Sequence, residues 1–120
     1  MGESTKIPLK YYHNNLTGTF NLLELMDEFQ CHSIVFSSSA TVYGAAETMP
    51  ITESVHVGSG ITNAYGRTKY MIEEILRDFY HSKVLVGENG ATDWSVVVLR
   101  YGTVFVWVCS FEKGVTFCVR

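Results

Sequence analysis

Two short apolar runs with no polar interruption, Ile34-Val35-Phe36 and Val96-Val97-Val98-Leu99, set the tightest limit on what this chain can fold into. A strand with one wet face alternates apolar and polar residues. A run without alternation reads as a strand buried on both faces, as in parallel sheets covered by helices. Parallel neighbours need a long crossover, and helical periodicity precedes each run. From about Tyr11 to Glu28, the residues Leu16, Phe20, Leu23 and Met26 recur at helical spacing, with Leu22 and Phe29 beside them. Gly18 inside that helix costs about 1 kcal/mol relative to alanine, so a sheet, a cofactor or a neighbouring helix is expected to approach the backbone there. Thr62 or Asn63 can cap a second helix. Its apolar face is Met71, Ile72, Ile75, Leu76 and Phe79, while Glu73, Glu74, Arg77 and Asp78 read as its solvated stripe. His81 to Asp93 reads as the following turn, and the segment 45–62, with Pro50, Gly58 and Gly60, as a long loop. Helix, strand, loop, helix, strand is the alternation of an α/β, doubly wound parallel sheet.

Length and composition narrow the class of ligand. A chain of 120 residues makes one domain. The net charge of −3 offers no basic patch for nucleic acid or an anionic membrane surface, so a small-molecule site is expected. The three cysteines, Cys31, Cys109 and Cys118, have no metal-ligand spacing and leave one unpaired in any disulfide scheme; a reducing cytoplasm is expected. No signal peptide is expected, and the sequence has no apolar run of 18 residues. The histidines at 13, 32, 56 and 81 are scattered, and no chemistry is assigned to them.

Most of the chemical information lies between Ser37 and Lys69. The first apolar run leads directly into Ser37-Ser38-Ser39-Ala40-Thr41-Val42-Tyr43-Gly44, and the second helix opens with Tyr65-Gly66-Arg67-Thr68-Lys69. Residues i and i+4 share a helix face, so Tyr65 and Lys69 project side by side. A tyrosine ordinarily titrates near pH 10, and a neighbouring ammonium favours its phenolate, which makes Tyr65 a candidate general base. Ligands of parallel α/β sheets sit outside the carboxyl ends of the strands, where a serine hydroxyl could hold the oxygen that loses its proton. Ser39 is the choice among the three serines. Taken singly, a Tyr-x-x-x-Lys pair is usually solvated surface and a run of serines is usually a polar turn; their joint placement raises the catalytic reading.

With the earlier run Pro8-Leu9-Lys10-Tyr11-Tyr12-His13-Asn14-Asn15-Leu16-Thr17-Gly18-Thr19, these segments resemble the UDP-galactose 4-epimerases, also called UDP-glucose 4-epimerases. They are NAD-dependent members of the extended short-chain dehydrogenase/reductase superfamily. The resemblance runs from about Gly2 to Tyr101; the octapeptide from Ser37 is specific to the epimerase branch, whereas Tyr-x-x-x-Lys is shared by the superfamily. It implies a Rossmann-like fold, NAD as cofactor, UDP-galactose and UDP-glucose as substrates, and a homodimer. It also implies roles. Tyr65 would take the proton of the sugar 4-hydroxyl while hydride leaves C4 for the nicotinamide, Ser39 would hydrogen-bond that oxygen, and Lys69 would hold the cofactor ribose. Asn14, or alternatively Asn15, would lie near the nicotinamide, and Ser37 would join the cofactor site. A 4-keto sugar would turn over and accept the hydride on its other face, inverting C4. The loop 45–62 would lie beside the nucleotide sugar.

The departures are equally specific. Family members carry a glycine-rich pyrophosphate turn before the region matched here, so a partial domain lacking its first strands and the C-terminal substrate domain is expected. Leu99-Arg100-Tyr101 matches the family, but the Phe-Asn-Pro segment that should follow is replaced by Gly102-Thr103-Val104. The chain therefore divides into a family-like part, 1–101, and an atypical tail, 102–120. The tail has strand propensity and could pair with a sheet edge, but is read as translation past a splice donor. Alone, such a chain is expected to be unstable and inactive. The competing readings are a nucleotide-sugar dehydratase or decarboxylase of the same superfamily, and a truncated, non-catalytic product. Dehydratases commonly place an Asp-Glu pair where Ala40-Thr41 follows Ser39 here, which favours the epimerase.

Overall fold

The computed structural model describes residues 2–45, 50–86, 92–101 and 115–119. A short helix α1 (Gly2–Lys6) leads into α2 (Pro8–Glu28), strand β1 (Ser33–Ser39), a 3-10 turn (Ala40–Tyr43), α3 (Ala64–Val86), and strands β2 (Ser95–Tyr101) and β3 (Val115–Val119). Pro8 starts α2 because its fixed φ suits the first helical position, where its missing N–H is not needed. The sheet order is β1-β2-β3, and both pairings are parallel. Ser33 pairs with Ser95 and Ser39 with Tyr101, so β1 and β2 run in register along their whole length. Helix α3 is the crossover that a parallel pair requires. The parallel, Rossmann-like sheet with flanking helices agrees with the sequence.

Helices α2 and α3 lie on one face of this sheet. Leu23 and Met26 of α2, Ile72 and Leu76 of α3, Trp94, and Val96 and Val98 of β2 form the buried core, with Ile34 and Phe36 of β1 packed against it. Trp94 closes one end, edge-on to Phe79 with ring centroids 4.8 Å apart. Each large side chain buried there contributes about 1.5–3 kcal/mol.

The opposite sheet face corrects the expectation that both apolar runs are buried on two sides. Along β1 burial alternates, and Val35 is 63% exposed; along β2, Val97 and Leu99 are half-buried while Val96 and Val98 are buried. The physical reason is that both long helices cover the same face. Helix α3 also runs further than expected, since no breaker occurs before Gly87, and Lys83 in its last turn pairs with Asp27 of α2 at 2.6 Å. At Gly18 nothing lies within 4 Å of where a Cβ would stand, so the expected close approach is not found among the described residues. Gly18 sits on the outward side of α2, in line with the exposed Leu22, Leu25 and Phe29. In the tail, Val115–Val119 pairs with β2, which is the sheet-edge alternative; residues 102–114 lie outside the described residues, as do 87–91 of the expected turn.

Gly44 ends the 3-10 turn at φ 61°, where L side chains are strained. A Cβ there would stand 2.2 Å from the Ser59 carbonyl oxygen and 2.6 Å from the Gly60 carbonyl carbon. Gly44→Ala should therefore destabilise the protein by more than the about 1–3 kcal/mol of a strained dihedral alone. An unchanged midpoint in urea denaturation would contradict this account of the turn.

Candidate active site

Strand β1 carries Ser37 and Ser39 at its carboxyl end, and the first turns of α3 carry Tyr65 and Lys69. Asn63 starts α3: its Oδ1 accepts from Gly66 N at 2.8 Å, which satisfies one of the orphan donors of a helix N-terminus. Of the two caps the sequence allows, Asn63 makes this bond. Lys69 Nζ then donates to the Ser37 carbonyl oxygen at 2.7 Å and stands 5.6 Å from the Tyr65 ring centre and 4.8 Å from that of Phe36. Burial lowers the Lys69 pKa from its ordinary value. An ammonium has three donors, and Ser37 takes one; the other two have no hydrogen-bond acceptor among the described residues.

Ser39 sits where β1 turns into the 3-10 segment. Its Oγ accepts from Thr41 N at 3.2 Å and from Thr41 Oγ1 at 3.0 Å. Thr41 touches the start of α3, since a Cβ on Gly66 would lie 3.0 Å from Thr41 Oγ1 and 2.9 Å from Ile61 Cγ2. Glycine at 66 thus brings the helix carrying Tyr65 against the turn carrying Ser39.

Helix α2 meets this assembly from the side. Asn15 Nδ2 donates to the buried Thr68 Oγ1 at 2.9 Å, and Thr68 Oγ1 donates onward to the Tyr65 carbonyl oxygen at 2.8 Å. Asn14 is exposed, and its amide donates to Asn15 Oδ1 at 3.3 Å. Lys10, Tyr11, Asn14 and Asn15 line a cavity of about 250 Å³. A larger cleft, about 330 Å³, lies between α3 and the segment Glu53–Val57, lined also by Tyr70, Glu74, Arg77 and Arg100. Ser37, Ser39, Tyr65 and Lys69 do not line it.

Beneath the site is a buried polar cluster that the sequence reading missed. Glu73, read as solvated, is fully buried, and Arg100 is 4% exposed. Arg100 Nε lies 3.0 Å from Glu73 Oε1, and its Nη2 donates to Oε2 at 2.7 Å. Its Nη1 donates to the Tyr43 hydroxyl at 2.8 Å, and Ser38 Oγ donates to Glu73 Oε1 at 2.5 Å. Burial opposes the Arg100 charge, but the hydrogen bonds to Glu73 and Tyr43 outweigh it and raise the Arg100 pKa. Burial raises the Tyr43 pKa, with Arg100 acting against it. The available signal was an arginine ending an otherwise apolar strand, because a buried charge demands a partner. Among the described residues no group of histidine, cysteine, aspartate or glutamate could hold a metal ion, and no helix is long and apolar enough to cross a membrane.

Residues 1–106 match the NAD dependent epimerase/dehydratase family. The chain belongs to that family. Over 101 residues it is 55% identical to the UDP-glucose 4-epimerase of Bacillus subtilis (strain 168) and 48% identical to that of Caenorhabditis elegans, in each case covering 84% of this chain and 27% of the relative. The crystal structure of UDP-glucose 4-epimerase from Bifidobacterium longum in complex with NAD+ and UDP is similar at a TM-score of 0.74 and 44% identity, covering 83% of this chain and 27% of that one. The chain thus spans about a quarter of the length of these epimerase/dehydratase family members.

Glu73 is fully buried and accepts from both Arg100 and Ser38, so its loss is costly. Glu73→Ala removes the carboxylate that accepts from Arg100 and Ser38 in the core and should destabilise by about 3–5 kcal/mol. Glu73→Gln, which keeps an acceptor and the side-chain volume, should cost less. Chemical denaturation that placed both variants at the parent midpoint would remove this pair from the stability of the fold.

Proposed function

We propose that this chain carries the proton-transfer and part of the cofactor-binding machinery of a UDP-galactose/UDP-glucose 4-epimerase. The observation that carries the reading is the 2.7 Å bond from Lys69 Nζ to the Ser37 carbonyl oxygen. It joins the Tyr-x-x-x-Lys helix to the serine strand end, which supports assigning Tyr65, Lys69 and Ser39 to one site. The named relatives, all UDP-glucose 4-epimerases, support the substrate class.

The residues present fit NAD. Two Lys69 donors remain for ribose hydroxyls, and the cavity along α2 offers amide groups. Asn15 is committed to Thr68, so Asn14 is assigned the nicotinamide side, with Ser37 at the edge of the cofactor. Bound NAD would supply a hydride acceptor and then a hydride donor for the sugar C4. Tyr65 takes the proton of the sugar 4-hydroxyl as C4 is oxidised, and Ser39 donates a hydrogen bond to that same oxygen. When the 4-keto sugar is reduced on its other face, Tyr65 returns a proton to the 4-oxygen, and configuration is inverted with no net oxidation. A dehydratase needs a further acid and base after the serine; Ala40 and Thr41 stand there, and the Thr41 hydroxyl is engaged with Ser39.

Residues 1–101 are proposed as the epimerase unit and 102–120 as an atypical tail; the 101-residue length of the relatives' matches supports this, while the family match extends to residue 106 and Val115–Val119 joins the sheet beside β2. A cytoplasmic homodimer is proposed on the resemblance and on the odd cysteine count. The acidic net charge supports small-molecule partners over nucleic acid or a membrane surface.

The test is a full-length chimera in which this segment replaces the matching part of the Bacillus subtilis enzyme. It should interconvert UDP-galactose and UDP-glucose, and Tyr65→Phe should lower turnover by about 100-fold or more, the usual share of acid–base catalysis. Full turnover in that variant would remove Tyr65 from the mechanism. Lys69→Met should weaken NAD binding by about tenfold, because the ammonium proposed to hold the ribose hydroxyls is gone. NAD affinity equal to the parent's would make Lys69 a bystander.

A further inference from the structure

A serine hydroxyl has two acceptor sites and one donor. At Ser39 both acceptor sites are filled by a single residue: the backbone N–H of Thr41 donates at 3.2 Å and its hydroxyl at 3.0 Å. What remains to Ser39 is its own O–H. Thr41 is in turn held against α3, where a Cβ on Gly66 would come within 3.0 Å of its Oγ1 and 3.2 Å of its Cβ. Gly66 directly follows Tyr65, and its N–H is fixed by Asn63. Thr41 therefore fills the space between the serine and the helix start that carries the base.

We propose that Thr41 is a positioning residue that fixes Ser39 as a hydrogen-bond donor toward the substrate oxygen whose proton Tyr65 removes. The inference rests on the 4-epimerase reading. An oxygen losing its proton gains negative charge and is stabilised by a donor already aimed at it. A serine free to rotate spends part of its time presenting a lone pair to that oxygen instead. With its acceptor sites occupied, Ser39 has only its own O–H left to engage, and the substrate oxygen is the acceptor proposed for it. Thr41 touches no reacting atom; its effect passes through Ser39.

In the full-length chimera, Thr41→Val deletes the hydroxyl while keeping the backbone N–H and the side-chain volume, and Thr41→Ser keeps the hydroxyl. Thr41→Val should lower kcat about tenfold with KM changed less than about twofold, and Thr41→Ser should restore most of the loss. A merely structural threonine would show no such rescue, with the serine variant, which loses the methyl contact, as impaired as the valine variant. Parental kcat in Thr41→Val would overturn the proposal. If the unsubstituted chimera lacks 4-epimerase turnover, the functional reading fails, and crystal structures of the chimera and its Thr41→Val variant decide the positioning separately. Ser39 Oγ facing position 41 in the parent and turned away in the variant supports the proposal; an unmoved Ser39 overturns it.

Discussion

The buried pair of Glu73 and Arg100 is the contact on which the rest of the arrangement depends. Glu73 belongs to α3 and Arg100 to β2; Ser38, which donates to the same carboxylate, belongs to β1, and Tyr43, which accepts from the same guanidinium, to the 3-10 turn. Four elements meet at two charges. Removing two ions from water costs several kcal/mol each, and their attraction offsets that only when geometry is good and the remaining hydrogen-bonding sites are filled. Here every buried side-chain polar atom among the described residues has a partner. Such a cluster tolerates little displacement, because sliding any one element would strand a buried charge. It acts as a register pin more than as a source of net stability.

That pin bears on the site through the geometry of α3. Tyr65, Lys69 and Glu73 are spaced by four, so they form one stripe along the helix, rising about 6 Å per step. Tyr65 and Lys69 are half-buried and Glu73 is fully buried, so the stripe runs from the open site into the core. Rotating α3 to move the tyrosine would drag the glutamate away from Arg100. Tyr65 and Lys69 are thus oriented by a residue whose own hydrogen bonds go to Ser38 and Arg100. On the facing side, Ser38 is tied to the same carboxylate and Ser39 is its chain neighbour, so the serine and the tyrosine are referred to one fixed point.

Much of this was legible in the sequence because it is carried by spacing. The unbroken apolar runs located both strands of the parallel pair, and helical periodicity located both long helices. The Tyr65–Lys69 interval and the serine run were recognisable because their chemistry needs those residue types at those positions. What escaped was information about which side of an element is covered. The apolar run around Val35 is the same whether one face or two are packed, and only the placement of α2 and α3 on one face decides between them. Glu73 escaped for a related reason: beside Glu74, and in a helix with Arg77 and Asp78, it looks like one more surface charge. Its i+4 relation to Lys69 and the lone arginine at the end of β2 marked it as different.

Close approach was legible only in part, since a glycine reports that space is needed without saying whether anything fills it. Gly18 and Gly66 both lie in helices, yet nothing stands near the first, while at the second Thr41 and Ile61 fill the space a side chain would occupy. The difference follows from helix faces. Gly66 is buried at the start of α3 where the 3-10 turn crosses it, and Gly18 lies on the outward stripe of α2. Residues that perform chemistry must be of particular types, so sequence exposes them. Residues that sit where elements meet, such as Thr41 and Gly66, can be of ordinary types, and only their contacts identify them.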